Sequence, residues 1–242
     1  MSNPGWYPAA KSRSAAALVE APQDAPSEMS TLNAEQVQRL LTAARGNRLE
    51  ALYVLAVTTG MRQGQLLGLR WQDVELDHGS LAVVRNLQPL PGLGLTSTKR
   101  QKTEGSRHRV ELGVLALEAL KAHKTRQVDE RSLAGATWED HDLVFPHVLG
   151  GPMTRYQLVI QGFEPLLAAA ALPRIRFHDL RHTTATLLLS QGVHPKIVSD
   201  LLGHSTTAIT LDTYSHVTQT MSRAAADTLD SLLQIAPAGG TV

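Results

Sequence analysis

Four side chains able to do chemistry fall in order within 37 residues of the C-terminal half: His178, Arg181, His204 and Tyr214. The chain has no cysteine, so any reaction must use imidazole, guanidinium, ammonium, phenol or carboxyl groups. In the stretch Phe177-His178-Asp179-Leu180-Arg181-His182-Thr183 a helix brings His178 and Arg181, three apart, onto one face. Such a pair suits an anion, because a guanidinium meets two oxygens of a phosphate with a planar fork that lysine cannot offer. Two other readings compete. One is a plain helix start capped by Asp179, with His178 and His182 on the surface. The other is a metal-dependent hydrolase, with His178 and His182 at i and i+4 and His204 as a third ligand. Against it, Asp179 stands where a His-Glu-x-x-His enzyme has glutamate, and Arg181 on the same helix opposes a dication.

The elements that must hold these groups can be read from periodicity and punctuation. Asn33 with Gln36 resembles a capping box, Val37, Leu40, Leu41 and Ala44 follow at helical spacing, and Gly46 marks the stop. A second helix is expected from about Arg48 to Thr58, broken by Gly60 before a short segment, Arg62 to Leu69, anchored by Leu66, Leu67 and Leu69. Val74 and Leu76, the turn Asp77-His78-Gly79, then Leu81 and Val83 predict a β-hairpin. A second hairpin is expected next. Arg107 to Leu112 alternates, with His108, Val110 and Leu112 on one face, and Glu104-Gly105 supplies a turn that puts Lys102 near the tip. The remainder reads as helices: 113–131, 156–170, 178–191 closed by Gly192, 194–202 closed by Gly203, and an amphipathic 218–233 with a stripe of Met221, Ala225, Leu229 and Leu232. The fold class is therefore α+β and mainly helical, with small antiparallel β-hairpins.

Net charge is only +1, so the distribution of charge matters more than its sum. Lys99, Arg100, Lys102, Arg107 and Arg109 lie close together with His108 against Glu104 alone, and Arg174, Arg176 and Arg181 accompany two histidines against Asp179. Either patch taken alone reads as solvated loops on an ordinary surface; for a chain that binds DNA, Lys99, Arg100, Arg107, Arg109, Arg176 and His182 are the candidate contacts. No run of about 18 apolar residues is present to span a bilayer. Nor does the N-terminus show a basic region followed by an apolar core, so a cytoplasmic protein without a membrane partner is expected.

His178-x-x-Arg181, the run Leu202-Gly203-His204, and Leu211-Asp212-Thr213-Tyr214-Ser215-His216 together resemble the signature of the tyrosine recombinases of phage-integrase type. The resemblance extends upstream. Thr59-Gly60-Met61-Arg62-Gln63-Gly64-Gln65-Leu66-Leu67-Gly68-Leu69-Arg70-Trp71 looks like the first-arginine segment of that family, and Lys102-Thr103, with Ser106 and Arg109 after it, looks like the hairpin lysine segment. The similarity covers about residues 30–235. It implies a tyrosine recombinase catalytic-domain-like fold and a DNA strand-transfer enzyme that passes through a covalent 3′-phosphotyrosyl intermediate. Carried over by position, it implies Tyr214 as nucleophile, Arg62 and Arg181 as clamps on the scissile phosphate, His178 and His204 as further contacts, and Lys102 as general acid, with Lys99 a weaker candidate. One position departs from the pattern: Gln65 stands where the family usually has an acidic residue. If that carboxylate helps fix Arg62, glutamine must do so by a hydrogen bond without the charge.

The residue types suit that chemistry on physical grounds. Attack on a phosphodiester gathers charge on non-bridging oxygens, which two guanidinium groups can take up. A phenol is roughly three pH units from ionised at neutrality, a cost of about 4 kcal/mol. One positive charge at about 4 Å is worth on the order of 4 kcal/mol at an effective dielectric of 20, so a small cationic cluster is of the right size without a metal. The phosphotyrosine link conserves the energy of the broken bond, so no nucleotide cofactor is expected, and no Gly-x-x-x-x-Gly-Lys-Ser/Thr segment occurs.

Residues 1–30 are rich in Ala, Pro and Ser and read as a flexible linker, 31–235 as the catalytic domain and 236–242 as a tail. The resemblance implies double-stranded DNA as partner, a homotetramer on DNA in which the C-terminal helix packs on a neighbour, an accessory directionality protein and a location on the nucleoid. A DNA-clamping N-terminal domain, usual in the family, is not expected within these 242 residues. The alternative expectation is therefore a catalytically weak or inactive DNA-binding remnant of an integrase.

Overall fold

A computed structural model describes residues 30–90, 94–99, 108–204, 206–214 and 228–229. Helix α1 (Ala34–Ala43) starts at the expected capping box: Asn33 Oδ1 accepts from the Gln36 amide and Gln36 Oε1 from the Asn33 amide, each at 2.8 Å. Helix α2 (Glu50–Thr59) begins two residues later than expected. Residues Ala51 to Val57 are all buried, so this helix is apolar on every side and runs through the middle of the core. Gly60 ends it in the left-handed conformation at φ +63°, and α3 (Gln63–Leu67) follows with Leu66 and Leu67 buried.

The first hairpin forms as expected. Strands β1 (Val74–Glu75) and β2 (Ser80–Val83) pair antiparallel with Val74 opposite Leu81. The second differs. A two-stranded ribbon, β3 (Arg85–Leu90) with β4 (Gly94–Lys99), occupies a stretch the sequence left unassigned, and β5 (His108–Glu111) pairs with β2 to complete a three-stranded sheet of order β1-β2-β5. Val110 is buried and Arg109 exposed, which keeps the predicted faces. The expected turn at Glu104-Gly105, with Lys102, lies outside the described residues.

Helix α4 (Val114–Ala134) packs on α2. Its His123 is buried, with Nε2 2.6 Å from the Val144 carbonyl and the ring between Trp71 and Phe145. The helix expected over 156–170 is instead α5 (Arg155–Leu158), a π-helical turn Val159–Phe163, and α6 (Glu164–Ala169). At that turn Gly162 lies so close to Tyr53 that a Cβ would stand 2.8 Å from the phenolic oxygen.

Helices α7 (Asp179–Ser190) and α8 (Pro195–Leu202) match their expected spans to within a residue, and a short α9 (Thr207–Thr213) ends at Tyr214. Helix α7 is set against α2 by small side chains: Thr184 Oγ1 donates to the Val57 carbonyl at 2.7 Å. A main core built on α2 extends through the sheet and α4 to α6, and a second cluster, Ala185, Leu189, Val198, Leu202 and Tyr214, lies beneath α8 and α9. The apolar stripe expected over 218–233 lies outside the described residues except at 228–229. Among the described residues no helix is long and apolar enough to cross a membrane.

Candidate active site

Three turns meet at the N-terminal half of α7. The first is the break after α2. Gly60 reverses the chain, Met61 is buried, and Arg62 sits at the N-cap of α3 with extended backbone. Gln65 fixes that corner: its Oε1 accepts from the Arg62 amide at 2.8 Å. This bond needs an acceptor oxygen and no charge, so glutamine serves the backbone of Arg62 as a carboxylate would.

The second turn opens α7. Asp179 is 2% exposed and accepts from the Arg176 backbone amide at 2.9 Å and from its guanidinium at 2.8 Å, closing the loop on which His178 stands. One helical turn on, Arg181 is 4% exposed, and two of its guanidinium donors are taken by backbone carbonyls. Nη1 donates to the Gly60 carbonyl and Nη2 to the Leu202 carbonyl, each at 2.8 Å. One buried side chain thus ties the Arg62 turn to the end of α8. Burial, with Arg62 nearby, pulls its pKa down to about 10, which leaves it charged at neutral pH.

The third turn follows α8. Gly203 is left-handed at φ +65° and sends the chain back so that the His204 amide donates to the Ser199 carbonyl. His204 Nδ1 lies 2.7 Å from Oγ1 of the buried Thr210 on α9, which fixes the ring. Burial, then the charges of Arg181 and Arg62, lower its pKa to about 4. His178 is lowered as well, by burial first and then by His182 and Arg181.

Tyr214 is 1% exposed and packs on the α7–α8 cluster. Its hydroxyl lies 2.8 Å from His182 Nδ1, and His182 meets His178 edge-on with ring centroids 5.0 Å apart. Burial pushes the phenol up to about 12, partly opposed by Arg181. Ionising it at pH 7 therefore costs about 7 kcal/mol, more than the 4 kcal/mol of a free phenol, unless a phosphate-bound state adds stabilisation.

The structure thus brings together Arg62, His178, Arg181, His204 and Tyr214 from the sequence-derived set. His182, expected among DNA contacts, is instead half-buried with Nδ1 on the tyrosine. Arg176 is held by Asp179, and Arg109, out on β5, pairs with Glu75 at 2.9 Å and Glu111 at 3.4 Å. Lys102, Arg100 and Arg107 lie outside the described residues, and Lys99 is placed by its backbone alone, at the end of β4. Sequence reasoning missed Thr210 and the two carbonyls under Arg181, since neither carries a motif. Among the described residues no group of three His, Asp or Glu is placed to hold a metal ion. A cleft of about 700 Å³ opens beside His178, lined by Gln63, Arg155, Tyr156, Arg174 and Arg176.

The sequence and the fold have known relatives. The sequence model of the phage integrase family matches residues 30–221. A tyrosine recombinase XerC-like protein of Caldanaerobacter subterraneus subsp. tengcongensis is 34% identical over 215 residues, covering 85% of this chain and 55% of that protein. An integrase of Streptomyces ambofaciens is 31% identical over 237 residues, covering 93% and 59%. The chain therefore spans little more than half the length of these relatives. Among solved structures, the Tn1549 transposon integrase in complex with circular intermediate DNA aligns with a TM-score of 0.69 at 23% identity, over 83% of this chain and 67% of that one. XerA recombinase aligns at 0.60 and 20%, over 89% and 68%. Motif order, fold and the match over most of its length agree: this chain belongs to the phage integrase family.

Proposed function

We propose that the chain is the catalytic part of a site-specific tyrosine recombinase, which cleaves and rejoins double-stranded DNA through a covalent 3′-phosphotyrosyl intermediate on Tyr214. The observation that carries this reading is the convergence of Arg62, Arg181 and His204 from three separate turns with Tyr214 from the end of α9, the turns being tied by the two carbonyl bonds of Arg181. A guanidinium carries five N–H donors; two of those on Arg181 are spent on carbonyls and others are left for a phosphate.

In the reaction, Tyr214 Oη attacks phosphorus, the P–O5′ bond breaks, and the 5′ oxygen leaves as a hydroxyl after taking a proton from Lys102. Rejoining is the reverse, with a 5′ hydroxyl displacing the tyrosine. Arg62 and Arg181 hold the non-bridging oxygens, with His178 and His204 as hydrogen-bond donors to them. The flanking backbone is assigned to the cleft beside His178, where Arg155 lies with the ion pairs Arg174–Glu164 and Arg176–Asp179, and to the basic stretch containing Lys99, Arg100, Arg107 and Arg109.

The wider assignments belong to the same proposal: residues 1–30 as a linker, a homotetramer on DNA built through the stripe around Leu229, which is 56% exposed, an accessory directionality protein, and work at the nucleoid in the cytoplasm. Ending the chain after Gln219 should leave Tyr214 in place and weaken assembly on DNA. The decisive experiment is covalent trapping: a pool of short nicked duplexes in EDTA, denaturation in detergent, and comparison with Tyr214→Phe. A DNA-linked band lost in the variant is expected; a band that persists in Tyr214→Phe, or that requires a divalent metal, overturns the reading.

A further inference from the structure

Resting on that recombinase reading, we propose that His182 is the base that takes the Tyr214 proton as the phenolic oxygen attacks, and the acid that returns it on rejoining. Among the described residues His182 is the histidine whose ring nitrogen reaches the hydroxyl, at 2.8 Å, within the distance for direct transfer. His204 has Nδ1 on Thr210, and His178 touches His182 by ring edge. The base role requires the tautomer with the proton on Nε2, so that Nδ1 accepts and the phenol donates.

The surroundings fit the task. Facing His182 are Arg176, His178, Asp179 and Arg181 from its own helix and the loop before it, His204 from the turn after α8, and Tyr214 at the end of α9. Burial first, then Arg176 and Arg181, lower its pKa, while the Asp179 carboxylate opposes them. His182 is therefore neutral and ready to accept at pH 7, and once protonated it has a carboxylate nearby. The transfer is concerted with attack, since a free phenolate beside a buried imidazolium would be far uphill. The balance is complete: the proton moves from Tyr214 Oη to His182 Nδ1, the P–Oη bond forms, and the P–O5′ bond breaks with a proton supplied on the leaving side.

The test is the rate of adduct formation on nicked duplexes between pH 5 and 9, with melting temperature measured alongside. His182→Asn places an amide near the Nδ1 position but cannot hold the proton. It is expected to react about 100-fold more slowly, with a rate that climbs with hydroxide and without the wild-type fall on the acid side. Added imidazole should partly restore His182→Ala. In the unsubstituted 242-residue chain, nitrogen-15 NMR should show an unprotonated Nδ1 on His182; a protonated Nδ1 overturns the proposal whether or not the variants fold. An asparagine variant that keeps the wild-type rate or profile, or reacts faster because the histidine merely restrains the tyrosine, overturns the base role alone. A wild-type chain that forms no adduct with any duplex overturns the recombinase reading, and the base role with it.

Discussion

Arg181 and Gly60, 121 residues apart, are joined by a 2.8 Å hydrogen bond from a buried guanidinium to a backbone carbonyl. With the matching bond to Leu202, it makes Arg181 a structural cross-link as well as a candidate phosphate ligand. Arg181→Lys keeps the charge but cannot span both carbonyls. It is expected to cost about 2–3 kcal/mol, because a buried carbonyl loses its partner. For a chain of this size that is a fall in melting temperature of about 4–10 °C. Adduct formation should drop about 100-fold even at temperatures where the variant is fully folded. Calorimetry with trapping checks both; an unchanged melting temperature would show that the carbonyl bonds contribute little.

Gly60 and Gly46 both have positive φ, but a Cβ on Gly60 would lie 2.5 Å from Leu202 Cδ2, whereas one on Gly46 meets nothing within 4 Å. Gly46→Ala should cost about 1 kcal/mol for backbone strain alone. Gly60→Ala should cost at least twice that and reduce adduct formation, since the carbonyl bound by Arg181 must shift with the strained residue. Urea denaturation of the two variants, side by side, reads the difference.

Gln65 holds the Arg62 amide by its side-chain oxygen. Gln65→Glu preserves the acceptor and is expected to leave stability within about 0.5 kcal/mol. Gln65→Ala should lose about 1 kcal/mol and slow cleavage by loosening the Arg62 corner. If Gln65→Glu instead raises the cleavage rate several-fold, the charge at this position, and not only the hydrogen bond, serves Arg62.

Stability should fall with acid. His204 has a folded pKa of about 4, and His123 is lowered by burial with Nδ1 unpartnered in the core. Below the unfolded value of about 6.5 the unfolded chain binds protons that the folded one refuses, so stability is lost progressively as pH falls from 6.5 towards 4. For His204 alone the loss between pH 7 and 5 is about 2 kcal/mol. His204→Gln should flatten that part of the curve, and denaturation midpoints at pH 7, 6 and 5 measure it.

What could be read from sequence was local. The capping box at Asn33, the stops at Gly60 and Gly203, and the His178-x-x-Arg181 face depend on residues within one or two turns of each other, and the structure keeps them. The ribbon β3–β4 was not legible: Pro89 and Asn86 weaken its strand pattern, and Leu87, which anchors it in the main core, is one apolar residue with no alternation around it. Nor was the pairing of β5 with β2, which closes over a long intervening segment. The π-turn at Val159–Phe163 lies where Gly162 comes close to Tyr53, a contact between distant residues, and α9 is too short to show a period. Within the site, residue types were legible but partners were not. The bonds from Arg181 to two carbonyls and from His182 to Tyr214 span 21 to 121 residues and leave no spacing to detect.

Among the described residues Tyr214 belongs to a core of five buried side chains, set apart from the larger one built on α2. A segment held by so few apolar contacts opens at a lower free energy than the rest of the domain. Amide protons of α8 and α9 should therefore exchange with deuterium well before those of α2. On the proposed reading the nucleophile is carried by this smaller cluster, and the Arg181 bonds to Gly60 and Leu202 are what couple its opening to the turn that bears Arg62.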